Sequence, residues 1–122
     1  MTAGEMIALA DRLRPNQYTT ADKLRWLERL DGQVLSEVIG THAEIAPDAA
    51  SGTAYTAATE LLVPFPYAEE LYTVYIFSQM DLLNAEITRY MQSATQLAAA
   101  WRQYADWYNR SHAPLGVRMM KI

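Results

Sequence analysis

One segment of this sequence combines a histidine with two acidic residues, which are side chains of the types that hold metal ions. His42, Glu44 and Asp48 place one imidazole and two carboxylates in a segment rich in small residues. Sites of this kind usually come from closely spaced motifs or ordered elements, and no second histidine lies near these three residues. The sequence therefore predicts no metal and no cofactor.

The groups that could support acid–base or nucleophilic chemistry also form no catalytic pattern. The chain has no cysteine, and its only other histidine is His112. Glu69 and Glu70 are adjacent, so a helix would point them to different sides, which is poor geometry for shared proton transfer. No glycine-rich phosphate-binding pattern occurs. We therefore predict a protein that is not an enzyme and has no catalytic residues.

The elements that carry these side chains are predicted to be helices. Thr2 and Glu5 have the spacing of a capping box for a first helix over 3–13, which Pro15 ends. A second helix is predicted over 21–38, where the apolar residues keep helical spacing. Gly32 lies inside this helix at a cost of about 1 kcal/mol relative to alanine.

The stretch 66–114 has no glycine or proline between its two terminal prolines and is the most strongly helical part of the chain. One unbroken helix of more than 40 residues would span about 65 Å, so we expect a break. An S-x-x-Q capping pattern favours a break near Gln92, with Asn84 as the second candidate. The part before the break is predicted to be the central packing helix, and the part over 94–111 an aromatic outer helix. The apolar stripe consists of Leu83, Ile87, Tyr90, Ala94, Leu97, Trp101, Tyr104 and Tyr108.

The predicted fold class is mainly α: a small bundle of about four helices with a long central helix, an irregular loop at about 40–60 and an extended C-terminal tail. A length of 122 residues and a hydrophobic content of 51% are sufficient for one domain with its own core. We assign 1–113 to the helical domain and 114–122 to the tail. The tail is too apolar for a solvated terminus, which favours docking on a partner.

Several apolar side chains are candidates for contacts between subunits. The segment 61–63 is predicted to be extended, and another copy of the chain could satisfy its unpaired backbone groups. Trp26 lies off the main stripe of the second helix, which leaves two interpretations open: packing against a neighbouring helix, or anchoring another molecule. The candidate set for inter-subunit contact is Trp26, Leu61, Leu62, Val63 and Trp107.

The charge distribution argues against a general nucleic-acid binder, because the net charge is −4. No lysine or arginine occurs between Arg29 and Arg89, whereas basic residues predominate after Ala100. This asymmetry is either ordinary solvated surface or the mark of an assembly in which a basic tail meets an acidic partner. No signal-peptide pattern and no membrane-spanning run is found, so we expect a soluble protein with no membrane contact.

Four groups of residues together resemble a family, the head–tail connectors of tailed bacteriophages and prophages, which are also called adaptor or head-completion proteins. The resemblance covers most of the chain through dispersed signatures. These are PNQY at 15–18 with TADKLRWL at 20–27 and LDG at 30–32, then LLVP at 61–64 with PY at 66–67 and LY at 71–72, then NAEITRY at 84–90, then YADWYNR at 104–110.

The resemblance implies a structural virion protein, made in the host bacterial cytoplasm and located at the head–tail junction. Such subunits form a ring, commonly of twelve copies, between the portal protein and the next neck or tail protein, and the ring extends the DNA channel. DNA would pass along the acidic interval without tight binding. In the family the C-terminal segment often docks on the portal, and the matching residues here are Leu115, Val117, Arg118, Met119, Met120, Lys121 and Ile122.

A second hypothesis comes from a different class of protein. The chain would then be a small helical regulator or adaptor that binds another protein through its aromatic C-terminal helix. The genomic position of its gene and its presence in purified particles would separate the two hypotheses.

Overall fold

The computed structural model describes residues 1–41 and 54–112, and within these ranges the fold is helical. The described part contains no strand, only an isolated antiparallel bridge between Thr2 and Glu60. The predicted small helical bundle is therefore confirmed. The elements in chain order are α1 Ala3–Leu13, α2 Thr20–Glu37, a 3-10 helix Ile39–Thr41, α3 Ala68–Leu83 and α4 Ile87–Ser111.

The first helix begins at the predicted capping box. The Thr2 hydroxyl accepts a hydrogen bond from the Glu5 amide at 3.2 Å, and the Glu5 carboxylate accepts one from the Thr2 amide at 2.8 Å. Each bond satisfies an amide that the helix itself leaves unpaired. The Ala3 amide donates to the Thr59 carbonyl at 2.8 Å, so the segment after residue 54 also lies against the start of α1.

The third helix is the centre of the fold, as predicted. Its residues 71–76 are all buried, and Ser78, Met80 and Asp81 continue this burial towards its end. A helix that is buried on every side must be contacted from several directions. Accordingly, α3 packs along α4 and also contacts both α1 and α2.

The break in the long helical stretch lies at Asn84, the second candidate, and the placement near Gln92 is wrong. Ala85 has a φ of 58°, and the Glu86 amide donates to the Asp81 carbonyl at 2.9 Å. A left-handed residue of this kind is the usual way to end a helix, although glycine normally occupies the position. The hydroxyl of Ser93 is not a helix cap, because it lies inside α4 and donates to the Asp81 carboxylate at 3.0 Å. The last helix is therefore longer than the predicted 94–111.

Two glycines in the helices provide a matched test of the packing. A methyl group on Gly32 would meet nothing within 4 Å, whereas one on Gly4 would lie 2.9 Å from the Ala57 carbonyl oxygen. We expect Gly32→Ala to raise the free energy of unfolding by about 0.5–1 kcal/mol through backbone entropy. We expect Gly4→Ala to lower it by about 1–3 kcal/mol, since the methyl group must displace the 57–59 segment. Urea unfolding followed by circular dichroism measures both, and equal stabilisation by both variants would contradict the contact at Gly4.

Candidate functional site

Four large apolar side chains remain exposed around the turn from α3 to α4. Leu82 is 47% exposed, Leu83 59%, Ile87 61% and Met91 63%. We call these four residues the hairpin-tip patch. Apolar surface with a polar border is typical of a protein contact site. The border here is a shallow depression of about 490 Å³ beside Met91, lined by Thr88, Gln92, Thr95 and Gln96.

The hairpin-tip patch was not predicted from the sequence. Leu83 and Ile87 were assigned to the apolar stripe of one helix, which would have buried them. The turn at Asn84 separates them onto two helices, and both side chains lie at the end of the hairpin, where the chain leaves them exposed. A break at Asn84, the second candidate, predicts this exposed position for both residues.

A buried carboxylate holds the hairpin tip to the rest of the molecule. Asp81 is 2% exposed and accepts hydrogen bonds from the Arg14 guanidinium at 2.9 Å and from the Ser93 hydroxyl at 3.0 Å. The guanidinium carbon of Arg14 also lies 4.2 Å from the centre of the Phe77 ring, a cation–π contact. These contacts join the end of α1, the end of α3 and the first turns of α4.

A second buried carboxylate, Asp31 on α2, organises the segment before α3. One oxygen of Asp31 accepts a hydrogen bond from the Tyr72 hydroxyl, and the other accepts from the Tyr55 hydroxyl at 2.8 Å and the Leu62 amide at 3.2 Å. The Tyr72 oxygen in turn accepts from the Val63 amide at 2.9 Å. Asp31 is 1% exposed, so these donors replace the water that a carboxylate would otherwise bind.

The pKa shifts in this network favour a structural role for Asp31 and the two tyrosines. Burial raises the pKa of Asp31, and the hydrogen bonds from Tyr72 and Tyr55 oppose that increase. Burial and the adjacent carboxylate raise the pKa of both tyrosines, so their hydroxyls remain donors at neutral pH. Both Asp31 oxygens are engaged by donors of the same chain, and the arrangement fixes residues 54–63 on the core.

The residues predicted for inter-subunit contact lie mostly inside the subunit. Trp26 is 5% exposed and its ring lies 5.4 Å from that of Tyr18, so packing within the chain is the interpretation that the structure bears out. Leu61 and Val63 are 7% and 1% exposed, and Leu62 is half-buried. Contact of these side chains with another subunit stays a prediction, and buried side chains offer little surface for it.

The predicted need for backbone pairing between copies at 61–63 is wrong. The Leu61 amide donates to the Met1 carbonyl at 3.0 Å. The next two amides donate to Asp31 and to Tyr72, as described above. All three amides are thus bonded within the chain: the Met1 carbonyl and the side chains of Asp31 on α2 and Tyr72 on α3 supply the acceptors that a second strand would otherwise provide.

The aromatic residues of α4 also pack within the chain. The Tyr67 ring contacts those of Tyr104 and Trp107, at centroid distances of 6.2 and 5.4 Å. The Tyr108 ring is 6.0 Å from Tyr104 and stacks on His112 at 3.8 Å. Tyr104 and Tyr108 are buried. Trp107, the residue of this cluster that was predicted to contact another subunit, is partly exposed.

A groove of about 520 Å³ runs between α2 and α4. Its floor includes Leu30, Leu97 and Trp101, and its rim carries Glu37 on α2 and Arg102 on α4. Leu97 and Trp101 are only partly buried, so α2 does not fully cover this face of α4. We call this feature the α2–α4 groove.

The exposed acidic surface is smaller than the sequence suggested. Asp31 and Asp81 are buried and bonded within the chain. Within the described residues of the interval that lacks lysine and arginine, the carboxylates that remain well exposed are Glu37, Glu60, Glu69 and Glu70.

Several predicted features lie outside the described residues. These are the metal-ligand candidates His42, Glu44 and Asp48 and the whole tail from Leu115 to Ile122. Between 1–41 and 54–112, no group of three histidine or acidic side chains is placed to hold a metal ion. No helix in the same ranges is both long and apolar enough to cross a bilayer.

Comparisons with protein-family models, with curated proteins and with solved structures find no match.

Proposed function

We propose that this protein is a structural subunit of a tailed-phage neck, which forms a ring between the portal and the tail components and extends the DNA channel. The sequence signatures described above and the helical fold support this proposal. The observation that carries it is the hairpin-tip patch, an apolar surface at one end of a molecule whose two central buried carboxylates are satisfied internally.

The hairpin-tip patch suits a repeated contact between copies. A ring requires a heterologous contact, in which one surface of each subunit meets a different surface of the next. An apolar patch at the end of a long helical hairpin can reach such a neighbour without rearrangement of the core. The Asp81 ion pair keeps this end of the hairpin in one position, so the contact surface is formed before assembly.

The exposed carboxylates support the proposed channel function. Glu37, Glu60, Glu69 and Glu70 lie in a part of the sequence without compensating lysine or arginine. Carboxylates repel phosphates and do not release counterions from DNA, so such a surface would let DNA pass without holding it. Tight DNA binding by this protein at physiological salt would contradict the proposal.

Incorporation into particles tests the proposal directly. We expect the wild-type chain in purified virions of a phage that encodes it, in a fixed ratio to the portal protein as measured by quantitative mass spectrometry. Leu83→Glu should reduce its incorporation about tenfold or more, since a carboxylate in an apolar contact costs about 1–3 kcal/mol or more when it is desolvated. The free energy of unfolding should change little, because Leu83 is exposed in the isolated subunit.

Phe65→Glu is the matched control, since Phe65 is 86% exposed and precedes the opposite end of α3. It should be incorporated like the wild-type chain. Absence of the wild-type chain from virions would overturn the neck function. Equal incorporation of both variants would instead show that the hairpin-tip patch is not the assembly contact.

A second candidate function is a small helical adaptor or regulator that binds another protein through α4. Burial of Tyr104 and Tyr108 within the chain leaves the partly exposed Trp101 and Trp107 for this role. An adaptor of this kind would be absent from virions, so the same mass spectrometry measurement separates it from a neck subunit.

A further inference from the structure

We propose that the α2–α4 groove is the docking site for the C-terminal segment 113–122 of the same chain. This inference does not rest on the proposed neck function, because it concerns the isolated subunit. It follows from the shape and lining of the groove, from the point where α4 ends, and from the length and composition of the chain beyond that point.

The groove contains apolar surface that is accessible to solvent. Leu97 and Trp101 are only partly buried, and Ala98 and Ala105 beside them are small enough to leave room for another chain. A volume of about 520 Å³ is in the range that accepts several side chains. The apolar side chains of the segment are of the right kind, and these are Leu115, Val117, Met119, Met120 and Ile122.

The segment is long enough to reach the groove. The groove reaches Ala105, and His112 lies seven positions further along the chain, just after the end of α4, a rise of about 10 Å. Ten residues follow His112, and an extended chain of ten spans up to about 33 Å. This length allows a reversal, for which Pro114 and Gly116 are suitable residue types, and then a return along α4.

Charge complementarity favours the same occupant. Glu37 on the rim of the groove faces solvent without an ion pair among the described residues, and the segment carries Arg118 and Lys121. The segment and the groove belong to one chain, so the effective concentration is in the millimolar range, and even a weak contact would be populated.

Disulfide formation in the full-length chain tests this inference, since the protein has no native cysteine to interfere. The test variant carries Ala105→Cys and Met120→Cys. The matched control carries Gln103→Cys and Met120→Cys, because Gln103 is exposed, does not line the groove and lies about 200° around the helix from Ala105. Oxidation is followed on non-reducing gels and by mass spectrometry at several protein concentrations.

We expect an intrachain disulfide that forms about tenfold faster in the test variant than in the control, at a rate independent of protein concentration. Equal rates in the two variants would overturn the inference. A disulfide that joins two chains, with a rate that rises with concentration, would assign the groove to a second copy and would also overturn it.

A charge substitution then tests whether the groove itself holds the segment. In the test variant, Ala98→Lys should slow the intrachain reaction about threefold or more, because it adds a cation beside Arg102 and repels the basic segment. Ala99→Lys adds the same charge at an exposed neighbouring position that does not line the groove, and it should leave the rate unchanged. An equal effect of both substitutions would indicate general electrostatics and would contradict docking in the groove.

Discussion

Asp31→Ala is expected to lower the free energy of unfolding by about 3–5 kcal/mol, a large share of the stability of a small domain. The substitution removes the acceptor of the Tyr72 and Tyr55 hydroxyls and of the Leu62 amide, all in a site that excludes most water. Each buried donor that loses its partner costs about 1–3 kcal/mol, and the cavity adds to this. Urea unfolding followed by circular dichroism measures the change.

Two further variants keep this prediction testable if Asp31→Ala does not fold. Glu28→Ala is the matched control. The Glu28 carboxylate also accepts a hydrogen bond from Tyr55, from the Tyr55 backbone amide at 3.0 Å, but this bond lies at an exposed site. It should change the free energy of unfolding by less than about 1 kcal/mol. Tyr55→Phe removes one hydrogen bond to Asp31 and should lower stability by about 1 kcal/mol. Equal effects of Asp31→Ala and Glu28→Ala would contradict the network.

The pH dependence of stability distinguishes the effect of the charge on Asp31 from the effect of the space that its side chain fills. The pKa of Asp31 is raised in the folded protein, so the folded state holds this proton more tightly than the unfolded state. Its contribution to stability is therefore fully present below the unfolded pKa, about 3.9, and is lost as the pH rises through the folded pKa. Asp31→Asn cannot titrate, so the stability of the wild-type chain relative to Asp31→Asn should fall as the pH rises from about 4.

Local sequence signals predicted the starts of α1 and α2 well. The Thr2 and Glu5 capping box acts on neighbouring amides, and the apolar spacing of α2 lies within one helix, so residue type and spacing are sufficient to place both. The central position of α3 followed from apolar residues on all its faces. Such features depend on contacts within a few residues or on the composition of one helix.

The features that the sequence did not predict depend on distant contacts. Ala85 ends α3 in a left-handed conformation that glycine normally marks, so the turn carried no glycine signal. Ser93 has the spacing of a cap, but its hydroxyl bonds Asp81, twelve residues earlier in the chain. Asp31 is buried beside Tyr72, 41 residues later in the chain, whose hydroxyl donates to it. These pairings become visible only when the helices are packed.

The hairpin-tip patch was hidden for the same reason. With a break at Gln92, Leu83 and Ile87 would have continued a buried stripe. With the break at Asn84, they lie on two helices at an exposed end. A shift of the break by two helical turns thus changed the interpretation of these residues from core to contact surface, which is the surface on which the proposed function relies.

The second large effect is expected for Arg14→Ala, which should lower the free energy of unfolding by about 2–4 kcal/mol. Asp81 is 2% exposed and would lose the guanidinium that now lies 2.9 Å away, and the packing of that guanidinium on Phe77 would also be lost. Arg14 itself is 31% exposed, so some water can reach the site, and the expected change is smaller than for a fully enclosed pair. Urea unfolding measures the stability of the variant.

Arg25→Ala is the matched control for this prediction. Arg25 pairs with Asp22, but the arginine side chain is 72% exposed and the carboxylate 33% exposed, so its removal should change stability by less than about 1 kcal/mol. Arg14→Lys should fall between wild type and Arg14→Ala, because an ammonium keeps the charge but lacks the planar group that packs on Phe77. Asp81 also accepts a hydrogen bond from Ser93 on α4, so loss of Arg14 should loosen the hairpin tip first. We expect this as faster amide hydrogen exchange at 84–90 than in α2. Uniform exchange throughout the helices would show that the ion pair stabilises the whole bundle and does not specifically hold the tip.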